Sequence, residues 1–262
     1  MRATIGRRPW IEKLAWGATP EGFKRIVDSQ GRRLVVRQDQ AAHIELFMRP
    51  DGHNSIAEAS HYHGRGVLKA VELPQGDTAL VRPYRHGGFF RAITGELFFT
   101  WPPRPFRELA LTEELRRRGL RTVEVYAAYV SPLGPFYRGW LVTKQLAGAE
   151  DLWSALQSGM TERVGLDAAL RAVAESLRSM HRQGVYHADL NLKNILLRVE
   201  DHGPACYIID YDKAKLFLGP LPETMANRNL MRLWRSVRRL DSELKFFSPA
   251  AWREFVSFYR AA

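Results

Sequence analysis

The 262-residue chain predicts an α+β fold in two parts, a β-rich first half carrying one helix and a shorter helical second half. Three observations predict it. Strand-like runs, rich in β-branched and aromatic residues and separated by turn residues, fill Leu34 to Leu146. One segment among them, from Pro105 to Gly119, is bounded like a helix. From Asp151 onward the apolar residues recur at helical spacing. The boundary falls after Leu146, which makes 1–146 the first lobe with an N-terminal extension and 147–262 the second, together one domain.

In order, the strands are Leu34-Val35-Val36, Val67 to Leu73, Thr78 to Tyr84, Thr122 to Val130 and Gly139 to Leu146. Pro74-Gln75-Gly76-Asp77 is the turn between the second and third. Pro105 suits a first helical position, where its missing N–H is not needed, and Gly119 suits the position just past the end. Glu108, Leu111 and Leu115 share one face of that helix. In the second half Leu166, Leu170, Val173, Leu177 and Met180 form one apolar face, and Gly184 ends that helix. A later helix carries Leu230, Leu233, Val237 and Leu240 on one stripe and Arg228, Arg232, Arg235 and Arg239 on another.

Composition narrows the function classes. The single cysteine, Cys206, excludes an intrachain disulfide and a cysteine zinc cage, and its run with Tyr207, Ile208 and Ile209 reads as buried core. No apolar stretch approaches the roughly 18 residues of a membrane span. Arg7, Arg8, Glu12 and Lys13 break up the N-terminus, which argues against a secretory signal and for a cytoplasmic protein. The net charge of +11 favours an anionic partner: a nucleotide, a phosphorylated substrate, nucleic acid or an acidic membrane. An arginine-rich genome is the alternative source of that charge. Nucleic acid is not expected, because no helix-turn-helix, zinc-finger or RNP signature is present.

The chemistry concentrates in "HADLNLKN", His187 to Asn194. An aspartate followed five residues later by an asparagine matches the protein kinase catalytic loop, and Asp210-Tyr211-Asp212 stands at the end of a hydrophobic strand where kinases carry Asp-Phe-Gly. With the two-part layout, these motifs resemble the bilobal protein kinase-like fold: a β-rich N-lobe with one helix and a short helical C-lobe. Phosphoryl transfer needs positioning and neutralised charge more than covalent help. Asp189 then orients the attacking hydroxyl, while Asn194 and Asp210 offer hard oxygen ligands for Mg²⁺ across the ATP phosphates. His187 braces the loop.

Upstream, Gly64-Arg65-Gly66 reads as a glycine loop over the phosphates or as an ordinary turn. Ala79-Leu80-Val81-Arg82 resembles the kinase strand that ends in lysine, so Arg82 is expected at the phosphates, with Lys69 as its rival. Glu108 is the expected partner of that cation, with Glu113 and Glu114 as alternatives. Thr143 to Leu146, including Lys144, is the stretch expected to meet adenine through backbone groups.

The words "RPYRHGG", "FRELALTEELRRRGL", "GVYHADLNLKNILL" and "IIDYDKAKL" are similar to those of the lipopolysaccharide kinase family, over roughly Gly64 to Arg239. That resemblance implies ATP-dependent phosphorylation of a sugar hydroxyl on the 3-deoxy-D-manno-octulosonic acid (Kdo) residue of Kdo-lipid A. The acting surface would be the cytoplasmic side of the inner membrane, with the protein held peripherally. A heptose kinase of the same superfamily is the enzymatic alternative, and a pseudokinase scaffold, suggested by Arg82 in place of lysine, is the other. Departures from protein kinases favour a small-molecule or glycolipid acceptor. Ala188 and Asn191 replace the arginine and lysine of the catalytic loop, and Asp212 replaces the glycine after the metal aspartate. Only residues 213–262 remain, too short a chain for both an activation segment and a full peptide-binding platform. The arginine face of the late helix would meet anionic lipid or lipid A phosphates, or simply complete the lobe. Trp10 and Trp16 would touch an interface or cap the first lobe.

Overall fold

The structure, a computed structural model, describes residues 19–48, 68–85, 96–100 and 102–261. These divide into two compact units. A sheet unit runs to Arg117 and resumes at Val123–Leu146; a helical unit comprises Arg118–Thr122 and the chain from Ala147 onward.

In the sheet unit, β1 (Phe23–Val27), β2 (Arg33–Arg37), β3 (Lys69–Glu72), β4 (Thr78–Pro83), β5 (Val125–Leu133) and β6 (Phe136–Lys144) form one antiparallel sheet in the order β1-β2-β5-β6-β4-β3. Successive side chains point to opposite faces, and both faces are covered. Val35, Val125, Ala128, Val130 and Leu141 pack with Phe106, Leu109 and Ala110 of α2 (Arg104–Arg117). Leu34, Val36, Ala79, Val81, Tyr126 and Tyr129 pack on the other side with Phe47 of α1 (Ile44–Met48). Burial on both faces explains why β5 reads as a continuous apolar run and not as an alternating one. Gly139 is a packing requirement: a Cβ there would stand 2.6 Å from Cγ of Pro105, so only glycine lets α2 seat its first turn on β6.

The sequence-predicted strands and α2 are present, with shifted ends. α2 begins at Arg104, one residue before Pro105. β5 begins at Val125 instead of Thr122, because the Arg121 carbonyl accepts from Ile208 N in the helical unit. β6 reaches back to Phe136 through a hairpin that pairs Leu133 with Phe136. α1 is a second helix in this half, beyond the one expected, and Gln38–His43 precedes it as a 3₁₀ turn.

The helical unit carries β7 (Ala149–Asp151), α3 (Leu152–Gln157), α4 (Met160–Val164), α5 (Leu166–Arg182), β8 (Val185–Tyr186), a 3₁₀ turn at Leu192–Asn194, β9 (Ile195–Glu200), β10 (Gly203–Ile208), β11 (Lys215–Leu216), α6 (Glu223–Leu240) and α7 (Pro249–Ala261). Asp151 caps α3 by accepting from Ser154 N at 3.1 Å. The predicted apolar face of α5 is buried at Leu170, Val173, Leu177 and Met180. Gly184 follows α5 at φ +77°, and a Cβ there would collide with the carbonyl oxygens of Phe217 and Gly219. Cys206 is buried, and desolvation pushes its thiol up to about 12, so it stays an inert core residue.

Candidate active site

The antiparallel pairing of β9 with β10 sets Ile195 opposite Ile208. The residues flanking that pair meet as a consequence: Ile209 N donates to the Asn194 carbonyl at 3.0 Å. Asp210, one residue further on, is thereby brought to the end of the loop His187–Asn194. Asn194 also reaches back across the loop, donating from Nδ2 to the Asp189 carbonyl at 2.8 Å. The three residues predicted as catalytic, Asp189, Asn194 and Asp210, thus lie on two backbone segments joined by hydrogen bonds. Asp210 sits at φ +65°, the left-handed region, which aspartate tolerates better than most residues and which concentrates at functional positions.

His187 ties the two segments together through one imidazole. Its Nδ1 accepts from Asp189 N at 3.2 Å, so its Nε2 carries the proton and donates to the Ile209 carbonyl at 2.9 Å. Burial holds its pKa below the ordinary histidine value, so the ring stays neutral and keeps that tautomer. Its ring also packs on Tyr211, with centroids 5.3 Å apart. The bracing role expected of His187 is the geometry observed.

Other braces were not legible in the sequence. Asn229 of α6, fully buried, accepts from His187 N at 3.0 Å and donates to the His187 carbonyl at 2.8 Å. The same Oδ1 lies 3.1 Å from Nε2 of His181, which must therefore be the donor. Desolvation pushes His181 down to about 4, so its other nitrogen is an acceptor, and Tyr259 OH of α7 donates to it at 2.7 Å. Ser236 Oγ accepts from Leu192 N at 3.2 Å. An orphaned buried donor or acceptor costs about 1–3 kcal/mol, so Asn229→Ala, which strands the His187 amide and carbonyl, is expected to lower the unfolding free energy by about 2–5 kcal/mol. Urea unfolding checks this, and a loss below about 1 kcal/mol contradicts the bracing role.

In the sheet unit Arg82 and Glu108 are together. Nη2 of Arg82 lies 2.6 Å from both carboxylate oxygens of Glu108, which is 2% exposed, and Tyr84 OH donates to the same carboxylate. The guanidinium also sits 5.0 Å above the Tyr84 ring. The alternative acids are used elsewhere: Glu113 pairs with Arg37 at 2.7 Å and Glu114 with Arg117 at 3.1 Å. Lys69 pairs in register with Val81, so its side chain leaves the face of the sheet opposite to Arg82 and away from Glu108.

Lys144 also stands apart from the Arg82–Glu108 pair. Its Nζ lies 2.7 Å from Asp77, its amide donates to the Glu124 carbonyl, and the next amide, of Gln145, donates to Thr78. Gly64, Gly66, Trp10 and Trp16 lie outside the described residues.

The arginines of α6 do not form one uniform face. Arg228, Arg235 and Arg239 are exposed, but Arg232 is half-buried with its Nε desolvated. Among the described residues no helix is long and apolar enough to cross a membrane, and no three His, Cys, Asp or Glu side chains gather as a metal cage.

Residues 56–259 match the description of the lipopolysaccharide kinase (Kdo/WaaP) family. The chain is 34% identical over 180 residues to a 3-deoxy-D-manno-octulosonic acid kinase of Vibrio vulnificus (strain YJ016), covering 67% of this chain and 71% of that one. It is 32% identical over 206 residues to the enzyme of that name from Pasteurella multocida (strain Pm70), covering 76% and 82%. To that of Xylella fastidiosa (strain 9a5c) it is 31% identical over 210 residues, 78% of each. A solved structure of WaaP in complex with acyl carrier protein superposes with a TM-score of 0.52 at 18% identity, over 98% of this chain and 83% of that one. At that identity the likeness speaks for the fold, and the fold is protein kinase-like.

Proposed function

Because the chain belongs to the lipopolysaccharide kinase (Kdo/WaaP) family, we propose that it transfers the terminal phosphoryl group of ATP to a hydroxyl of the Kdo residue of Kdo-lipid A, in lipopolysaccharide core biosynthesis. The observation that carries the reading is the convergence of Asp189, Asn194 and Asp210 in a chain whose relatives are Kdo kinases.

In the helical unit Asp189 accepts a hydrogen bond from the acceptor hydroxyl, orients it and takes its proton as the oxygen attacks. The amide nitrogen of Asn194 is committed to Asp189, which leaves its oxygen, with the Asp210 carboxylate, to hold Mg²⁺. Mg²⁺ is usually bound by one or two carboxylates plus substrate phosphates, so a two-residue donor set fits it better than a cage would. When bound, the ion neutralises charge on the phosphates. In the sheet unit Arg82, aimed by Glu108 and Tyr84, contacts the phosphates; a guanidinium fork suits them. The sequence adds Gly64 and Gly66 as the glycines assigned to the phosphates. Adenine is met by backbone groups at the end of β6, where the amides of Lys144 and Gln145 are already engaged.

The protein works peripherally on the cytoplasmic side of the inner membrane, and the exposed arginines of α6 face its anionic lipids. Replacing Arg228, Arg235 and Arg239 by Ser is expected to raise the apparent KM for lipid-linked Kdo severalfold with kcat little changed. The defect should shrink with salt, since exposed charges are screened beyond about 10 Å at 0.1 M ionic strength. Equal KM values at low salt would make α6 a purely structural helix. The acceptor itself is tested by comparing kcat/KM on Kdo-lipid A and on a heptose-terminated core lipid. A preference for Kdo is expected; a preference for heptose would transfer the reading to a heptose kinase.

A further inference from the structure

Position 191, two residues after the catalytic aspartate, holds an asparagine where the protein kinase loop has a lysine. Its side chain is turned into the loop. Nδ2 of Asn191 donates to the Asp189 carbonyl at 2.8 Å, and Oδ1 accepts from Lys193 N at 2.9 Å. Its own carbonyl accepts from Asn194 N at 3.1 Å. The residue is extended, at φ −154° and ψ 169°, and caps the 3₁₀ turn Leu192–Asn194. On either side Leu190 and Leu192 are fully buried, so the backbone around Asn191 is anchored and its amide is aimed.

Two side-chain amides therefore grip one oxygen. The Asp189 carbonyl receives Nδ2 of Asn191 and Nδ2 of Asn194, each at 2.8 Å. The amide of the same residue is held by His187. With both peptide groups of Asp189 pinned, the loop fixes its backbone and Cβ, and the carboxylate turns only about the side chain's own two bonds. Asn191 also fixes Asn194 from below, through the turn it caps. The side chain at position 191 is thus spent on geometry, and no cation stands there to meet a phosphate.

We propose that Asn191 is a positioning residue for phosphoryl transfer: it clamps the Asp189 carbonyl jointly with Asn194 and makes no contact with ATP. The inference rests on the reading of Asp189 as the residue that orients the acceptor. Misplacing such a group by about 1 Å can cost up to about 10²-fold in rate. Asn191→Asp keeps the acceptor for Lys193 N but replaces the donor with an oxygen that repels the Asp189 carbonyl. Asn191→Ser can still accept from Lys193 N, but its shorter side chain withdraws the amide donor from the Asp189 carbonyl without adding charge. Asn191→Lys restores the residue type of protein kinases and loses the clamp.

The experiment measures kcat and the KM for ATP with Kdo-lipid A for these three variants, beside Asp189→Asn, with thermal unfolding of each. All three Asn191 variants are expected to lose about tenfold to a hundredfold in kcat, with the KM for ATP within about threefold of wild type. Asn191→Lys retaining wild-type kcat would overturn the proposal, as would a loss confined to the KM for ATP, which marks a phosphate contact. If Asp189→Asn is inactive and the Asn191 variants match wild type, this inference alone fails. If Asp189→Asn is active, the reading of Asp189 fails first. Should Asn191→Asp not fold, Asn191→Ser decides: folded with unchanged kcat, it removes the clamp from the account.

Discussion

Asp189→Asn is expected to lower turnover by about 10²- to 10⁴-fold, the range lost with a positioned general base, and to leave the affinity for ATP nearly intact. The reason is which groups touch which substrate. The Asp189 carboxylate is assigned to the acceptor, whereas its peptide carbonyl and amide are bonded to Asn191, Asn194 and His187 and stay so in the variant. Asparagine has the same shape and keeps a polar oxygen, but it cannot take a proton. Steady-state kinetics with titration of ATP binding checks both halves. Turnover within a few-fold of wild type would remove Asp189 from the role.

Asp210→Asn is expected to cost a comparable amount in turnover and also to weaken Mg²⁺–ATP, because a charged oxygen ligand is lost from a divalent cation. Asparagine, like aspartate, visits the left-handed region, so the backbone at φ +65° should survive the substitution. The variant's affinity for ATP should depend on Mg²⁺ far less steeply than the wild type's, measured by nucleotide titration at several Mg²⁺ concentrations. An unchanged metal dependence would pass the ligand role to Asp212 or another group.

The parts of the site that could be read from sequence are those whose geometry is local. Asp189 and Asn194 are five residues apart on one loop, and a hydrophobic strand delivers Asp210. The Arg82–Glu108 pair was legible because a strand and a helix each have a fixed period, which says which residues face inward. Asn229, His181 and Tyr259 were not legible. They form a chain across three helices, Tyr259 to His181 to Asn229, of which only Asn229 bonds the loop at His187, and an asparagine directly after an arginine, as in Arg228-Asn229, reads as solvent face until the helix is docked.

The fold shows the same division. β1 alternates poorly because it is an edge strand carrying Lys24 and Arg25, charges of the kind that keep an open edge from pairing with another chain. The start of β6 was obscured by Pro132, Gly134 and Pro135, which signal a loop although Leu133 and Phe136 are paired. The place of Lys144 at the end of a strand is legible, whereas what its side chain does, an ion pair with Asp77, depends on β4 lying beside β6.

Transfer from ATP to a Kdo hydroxyl is decided by locating the phosphate. Purified protein is incubated with ATP, Mg²⁺ and Kdo-lipid A, and the lipid is fragmented in a mass spectrometer. One added phosphate is expected, carried by the Kdo fragment, absent when Mg²⁺ is chelated and absent with Asp189→Asn. A lipid returned unchanged while ATP is consumed, or a phosphate found on the lipid A fragment, would contradict it.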